Sequence, residues 1–223
     1  MRLSTGLPKL DKMLEGGFPQ QTAILMSGGP GSGKTLLGLN FLVEGASKGE
    51  KCYYLSVSES KDELLRACEK IDSLKSSKDY IGKNLLIESI SLDERINLEY
   101  LARLFKSYPK IDRLVIDSVN KLMVHSKSIK DYRIKLADVI KYLKEKVRCT
   151  IFLCETEEDK IDTGNFEAFE CDGVLKISFL ELEEKPIRTL QVHKMRYTSF
   201  EPRVNHELVI DKKRLKLSSK KTF

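Results

Sequence analysis

Eight consecutive residues, Gly28-Gly29-Pro30-Gly31-Ser32-Gly33-Lys34-Thr35, carry the most specific chemistry in this sequence. They fit the phosphate-loop pattern at every fixed position. Glycines let successive backbone N–H groups converge on phosphate oxygens, and a helix opening at the end of the run adds its positive dipole end. Lys34 can reach the β- and γ-phosphates of a nucleotide, and the Thr35 hydroxyl is placed to bind Mg²⁺. The chemistry also needs a carboxylate at the end of a buried strand. Leu114-Val115-Ile116-Asp117 supplies it, with Asp117 expected to hold the magnesium hydration shell through water. Ser118, next to it, could sense the γ-phosphate or cap the exit from the strand. ATP and Mg²⁺ are the ligands these residues imply.

Such groups need an α/β scaffold, and the hydrophobic patterning predicts one. The loop should follow a strand over 22–27 and open a helix over 33–47 that stops at Gly49. Further strands are expected over 52–57, 85–90, 113–117 and 149–154. Helices over 61–71, 97–107 and 130–147 alternate with them, which implies parallel βαβ units. A short helix is expected over 7–14, and a polar loop over 72–83. Beyond an acidic loop over 155–165 the pattern changes to strands at 174–182, 188–196 and 203–210, with a turn at 183–186. These should form an antiparallel extension of the sheet.

Composition narrows the class. The 223 residues, 41% of them apolar, suit one large globular core. No apolar run approaches the roughly 18 residues of a membrane span. Met1 leads into Ser4-Thr5-Gly6 without a charged-then-apolar leader, so a cytoplasmic protein is expected. The five cysteines form no Cys-x-x-Cys pair and read as core thiols, and the three histidines have no partners at metal-ligand spacing. Residues 211–223 hold six basic side chains against Asp211 alone, so they carry +5 of the net +6. The expected organisation is one domain over 1–210 and a flexible basic tail over 211–223. Such a tail could touch nucleic acid or an acidic partner.

Four segments together resemble the KaiC-type ATPases of the RecA superfamily, across nearly the whole chain and in order. They are Ser4-Thr5-Gly6 with Leu10-Asp11 and Gly16-Gly17, then Tyr54-Leu55-Ser56-Val57-Ser58-Glu59-Ser60, then Val115-Ile116-Asp117-Ser118, and Lys194-Met195-Arg196 after Cys171-Asp172-Gly173-Val174. The match is to one KaiC unit rather than the tandem pair of clock proteins. The resemblance implies a RecA-like core, a hexameric ring with ATP between neighbours, and Lys194 and Arg196 reaching the adjoining subunit's nucleotide. It also implies that Glu59 is catalytic. Two departures stand out. Tyr197 takes the place of a usual glycine, and Ser58 takes the place of the first of two successive glutamates. A hydroxyl is a poor general base at neutral pH, so either Glu59 takes over or turnover is slow and ATP is a structural ligand.

Three functions fit. One is a slow regulatory ATPase that assembles around nucleotide and acts on a protein partner. Another is an accessory protein related to RadA-like recombinases that binds single-stranded DNA. The acidic loop over 155–165 would repel phosphate backbone, and no helix-hairpin-helix region precedes the core, so nucleic acid is not the favoured partner. The third is a nucleotide-dependent scaffold without useful turnover. No Ser-Thr pair lies near Thr163, which argues against autokinase activity.

Overall fold

In a computed structural model, residues 1–91, 93, 94, 96–157, 160–181 and 186–222 are described, with side chains as far as residue 218. Near the N-terminus, β1 (Arg2–Leu3) and β2 (Phe18–Pro19) pair antiparallel and enclose α1 (Pro8–Met13). Proline at the first helical position suits α1, because that N–H needs no intrahelical partner. The central elements are β3 (Thr22–Gly28), α2 (Lys34–Ser47), β4 (Cys52–Ser56), α3 (Lys61–Glu69), α4 (Ser77–Tyr80), β5 (Leu85–Ser89), α5 (Leu98–Ser107), β6 (Ile111–Asp117), α6 (Asn120–Val124), α7 (Ile129–Lys146) and β7 (Val147–Glu155). After them come α8 (Glu167–Glu170), β8 (Gly173–Leu180), β9 (Ile187–Met195), β10 (Asn205–Ile210) and β11 (Leu215–Thr222).

Among the described residues the main sheet has nine strands, in the order β11-β10-β9-β8-β3-β7-β6-β4-β5. From β8 to β5 every neighbouring pair is parallel, and β9, β10 and β11 extend the sheet antiparallel. All seven residues of β3 and of β6 are buried, as strands covered on both faces must be. Alternation divides their side chains between two cores. Ile24, Met26, Tyr54, Val115, Ile151 and Leu153 pack on the α2 side, whereas Leu25, Leu55, Leu114, Ile116, Phe152 and Cys154 pack on the α7 side. No described helix is long and apolar enough to cross a membrane.

The expected α/β order holds, and the differences have local causes. The polar loop over 72–83 contains a turn of 3₁₀ helix, Asp72–Leu74, and then α4. Ile71, Leu74 and Ser77 supply its buried side. The short helix α6 escapes a periodicity reading because five residues are too few to establish one. Of the turn expected at 183–186, residues 183–185 lie outside the described residues, as do Glu158 and Asp159 of the acidic loop.

The largest correction concerns the basic tail. Far from fraying, it turns back at Asp211, whose carboxylate accepts from the N–H groups of Lys213 and Arg214 at 2.7 and 2.9 Å. It then runs as β11 along β10, pairing Leu215 with Ile210 and Leu217 with Leu208. Leu215 and Leu217 are buried, so a period of two lay hidden among the lysines. The turn is held to the body by the N–H groups of Asp72 and Ser73, which donate to the carbonyls of Lys212 and Lys213 at 2.8 and 2.9 Å. Replacing Leu215 by alanine should lower stability by about 2 kcal/mol, the lower end of the range for buried leucine truncations. Chemical denaturation checks this, and an unchanged midpoint would mean that the tail does not pack on the sheet.

Candidate functional site

The phosphate loop lies between the end of β3 and the first turn of α2, where the sequence requires it. Gly33 precedes Lys34 with φ 98°, in the left-handed region that glycine adopts without strain. A Cβ there would also come within 2.5 Å of the Ile210 side chain. Gly28 is equally constrained, since a Cβ would approach the Ile177 carbonyl and the Ser32 hydroxyl at 2.5 and 2.7 Å. Lys34 is buried and folds back on the loop, donating to the carbonyls of Gly28 at 2.9 Å and Gly29 at 3.0 Å. Burial lowers its pKa, while the negative charges of Glu155 and Asp117 act to raise it.

The Thr35 hydroxyl meets one oxygen of Asp117, Oδ2, at 3.5 Å. The same oxygen accepts from the Tyr54 hydroxyl at 2.6 Å. Tyr54 is fully buried beneath α2, next to Gly38, where a Cβ would crowd the Val115 side chain at 3.2 Å. Burial raises the pKa of Asp117, and the Tyr54 hydrogen bond opposes that shift. Thr35 and Asp117 are thus brought together, with Tyr54 as an added support.

Glu59 lies at the junction of β4 and α3. Ser56 Oγ donates to its carbonyl at 2.7 Å and accepts from its N–H at 2.9 Å. Ser60 caps α3 in a reciprocal arrangement with Glu63, which fixes the chain immediately after Glu59. Burial first, then the charge of Asp117, raises the Glu59 pKa, and the Thr35 hydroxyl opposes the shift. Ser58 is exposed. Among the described residues, five buried polar atoms have no hydrogen-bond partner around this loop: Ser32 Oγ, Ser118 Oγ, Thr156 Oγ1, Glu59 Oε2 and Arg188 Nε. Orphaned buried polar atoms are costly, so they fit a site shaped for a polar ligand. The donor set of Thr35 and Asp117 suits a hard, oxygen-seeking cation such as Mg²⁺.

Two neighbours were not legible in the sequence. Arg188 on β9 reaches the Gly31 carbonyl at 3.3 Å, with its guanidinium 5.2 Å from the Phe179 ring centre. Ile210, at the end of β10, presses on Gly33. No motif marks either, because both arrive through the antiparallel extension folding beside the loop.

Lys194 and Arg196 are not brought to this phosphate loop. In the ladder, Met195 pairs with Gly173 and Gly173 with Ile24, four residues before Gly28. At about 3.3 Å per residue that is roughly 13 Å along the strand. The Lys194 ammonium donates to the carbonyls of Ala168, Phe169 and Cys171 at 3.1, 3.2 and 2.6 Å. Arg196 donates to Asp172 at 3.1 Å and remains half exposed. Tyr197 has φ 61°, so it keeps a left-handed turn of the kind glycine favours, and its carbonyl accepts from Arg2 at 2.8 Å.

The chain is similar to several known proteins. The chain is 28% identical over 206 residues to circadian clock protein KaiC2 of Synechocystis, covering 88% of this chain but 36% of that protein. The chain therefore spans about a third of that relative's length. It is 26% identical to a UPF0273 protein of Thermotoga maritima, covering 95% of this chain and 93% of the other. A crystal structure of a KaiC-like protein from Pyrococcus horikoshii superposes with a TM-score of 0.80 at 26% identity, over 98% of this chain and 99% of that one. The family model for the KaiC ATPase matches residues 3–222, and the chain belongs to the KaiC ATPase family.

Proposed function

We propose that this chain is a slow, Mg²⁺-dependent regulatory ATPase that binds ATP on the loop 28–35 and shares each nucleotide between neighbouring subunits of a ring. The observation that carries the reading is the meeting of Thr35, Asp117 and Glu59 beside an intact phosphate loop, with five buried polar atoms still lacking partners. The loop N–H groups and Lys34 would bind the phosphates, and Thr35 and Asp117 would hold Mg²⁺, which neutralises phosphate charge when bound. Glu59 would orient the attacking water. With Ser58 exposed and lacking a carboxylate, slow turnover is the expected consequence.

The far position of Lys194 and Arg196 supports a shared site. They lie too distant to serve their own loop, whereas a neighbour's phosphates would meet the half-exposed Arg196. A hexamer is the assembly that the family resemblance implies. A cytoplasmic protein partner, sensing changes in subunit packing, would complete a regulatory role. The tail lysines no longer form a free arm, which weakens the case for nucleic acid.

Three outcomes follow from this reading. Lys34→Ala should weaken ATP binding strongly, measured with a fluorescent nucleotide. Asp117→Asn should keep part of that binding and lose Mg²⁺-dependent turnover. Unchanged affinity in the lysine variant would sink the phosphate-loop assignment.

A second outcome concerns stability without metal. The Asp117 pKa is raised in the folded chain, so its ionised form opposes folding above that pKa and the penalty fades as the pH falls. Metal-free Asp117→Asn should therefore unfold later than wild type near pH 8. The gain should shrink as the pH approaches the ordinary aspartate pKa of about 3.9. A gain independent of pH would contradict the burial argument.

Finally, mixing Arg196→Ala with Lys34→Ala subunits should restore some ATP turnover, because some interfaces regain both intact halves. No recovery in proven mixed assemblies would exclude a role for Arg196 across the interface.

A further inference from the structure

Glu155 is the last residue of β7, and its position follows from three independent features. In the ladder it pairs with Gly28, the first residue of the phosphate loop. The next residue, Thr156, donates its N–H to the Gly28 carbonyl at 3.2 Å, the same carbonyl that Lys34 engages. Alternation then sets the direction. Ile151 and Leu153 face α2, while Phe152 and Cys154 face α7. Glu155 therefore continues on the α2 side, as Asp117 does after Val115.

The third feature is a clamp. The side-chain amide of Asn120 donates to the Glu155 carbonyl at 2.8 Å and accepts from the Glu155 N–H at 2.9 Å. Asn120 opens α6, three residues after Asp117, so a single side chain locks the end of β7 to the exit of β6. Asn120 thus fixes the backbone of Glu155, whose side chain stays exposed to water. After burial, Glu155 is the foremost charge acting on Lys34. It is also the foremost charge acting on Asp117. This is consistent with a carboxylate directed at the phosphate end of the site.

We propose that Glu155 is a catalytic carboxylate that takes the proton of the attacking water, supplying the base that Ser58 cannot. The proposal rests on the hydrolysis reading above and extends it. The water oxygen would bond to the γ-phosphorus as the bond to the β,γ-bridging oxygen breaks. That oxygen keeps the electron pair and leaves on ADP. The water proton passes to Glu155 and then to the released phosphate. Glu59 lies beside Thr35 and Asp117, on the metal side of the site, so the two carboxylates have separate tasks.

The purified chain carrying Glu155→Gln tests this. ATP turnover should fall by about 10² to 10⁴, the usual worth of a general base. The affinity for a fluorescent ATP analogue should stay the same or tighten, because a like charge near the phosphates is removed. Adding Ser58→Glu in that background should recover part of the rate from the other side of the water. Turnover of Glu155→Gln within threefold of wild type would overturn the assignment, as would a rate loss matched by lost ATP affinity. Wild-type chain that binds ATP without hydrolysing it would overturn the hydrolysis reading and this proposal together. Wild-type turnover with an indifferent Glu155→Gln variant would overturn this proposal alone.

Discussion

Everything at the phosphate end depends on α2 keeping its height against β6, and one buried guanidinium holds it there. Arg113, only 1% exposed, pairs with Glu50 and donates to the carbonyls of Ser4 at 2.7 Å and Phe41 at 2.8 Å. Its guanidinium lies 4.5 Å from the centre of the Phe41 ring. Gly45 faces it because a Cβ there would collide with the guanidinium. The N-terminal segment, α2 and β6 are thereby pinned at one point. A slip of α2 by one residue, about 1.5 Å, would separate Thr35 from Asp117 at the other end of the same two elements. Buried ion pairs contribute little net stability, but removing one partner typically costs about 3–5 kcal/mol. Here the gain is position.

A second buried charge organises the α7 side of the sheet. Asp172 is fully buried and accepts from the Ala23 N–H at 3.0 Å, Lys144 at 2.9 Å and Arg196 at 3.1 Å. It thus joins the first turn of chain in β3 to α7 and to the end of β9. Lys194 has its ammonium engaged by three carbonyls, of Ala168 and Phe169 within α8 and of Cys171 just after it, which makes it a cap for that short helix within its own subunit. Arg196, with one edge on Asp172 and the rest exposed, is the freer of the pair. The family resemblance treats the two alike, and their surroundings do not.

Sequence reading recovered what fixed spacing encodes. The loop 28–35 and Asp117 are visible because their chemistry constrains neighbouring positions, and the alternation of strands and helices because burial imposes a period. Glu59 was reached only by resemblance, since a lone glutamate after a strand has no pattern of its own. Tyr54, Arg188 and Glu155 could not be singled out at all. Tyr54 reads as one more apolar residue in a buried strand, and its hydroxyl matters only because the fold sets it on Asp117. Arg188 depends on how β9 folds back, and Glu155 on a register between strands distant in sequence. The tail was misread because its charge was weighed before its alternation, and two leucines outweighed the lysines around them.

The strand order has a further consequence, for the sequence of events during synthesis. β3 carries the phosphate loop and is made long before its two neighbours, β7 and β8. Thr22 must wait for Cys149, and Ile24 for Gly173, before either edge of β3 is covered. Pairings so distant along the chain slow folding, and an uncovered apolar strand is prone to wrong partners in the meantime. While the nascent chain grows, β4, β5 and β6 can join one another before β3 has any neighbour. The strand that carries the loop is therefore translated well before the site around it can exist. An emerging chain would present ATP with no pocket until β7 and β8 have closed on either side of the loop's own strand.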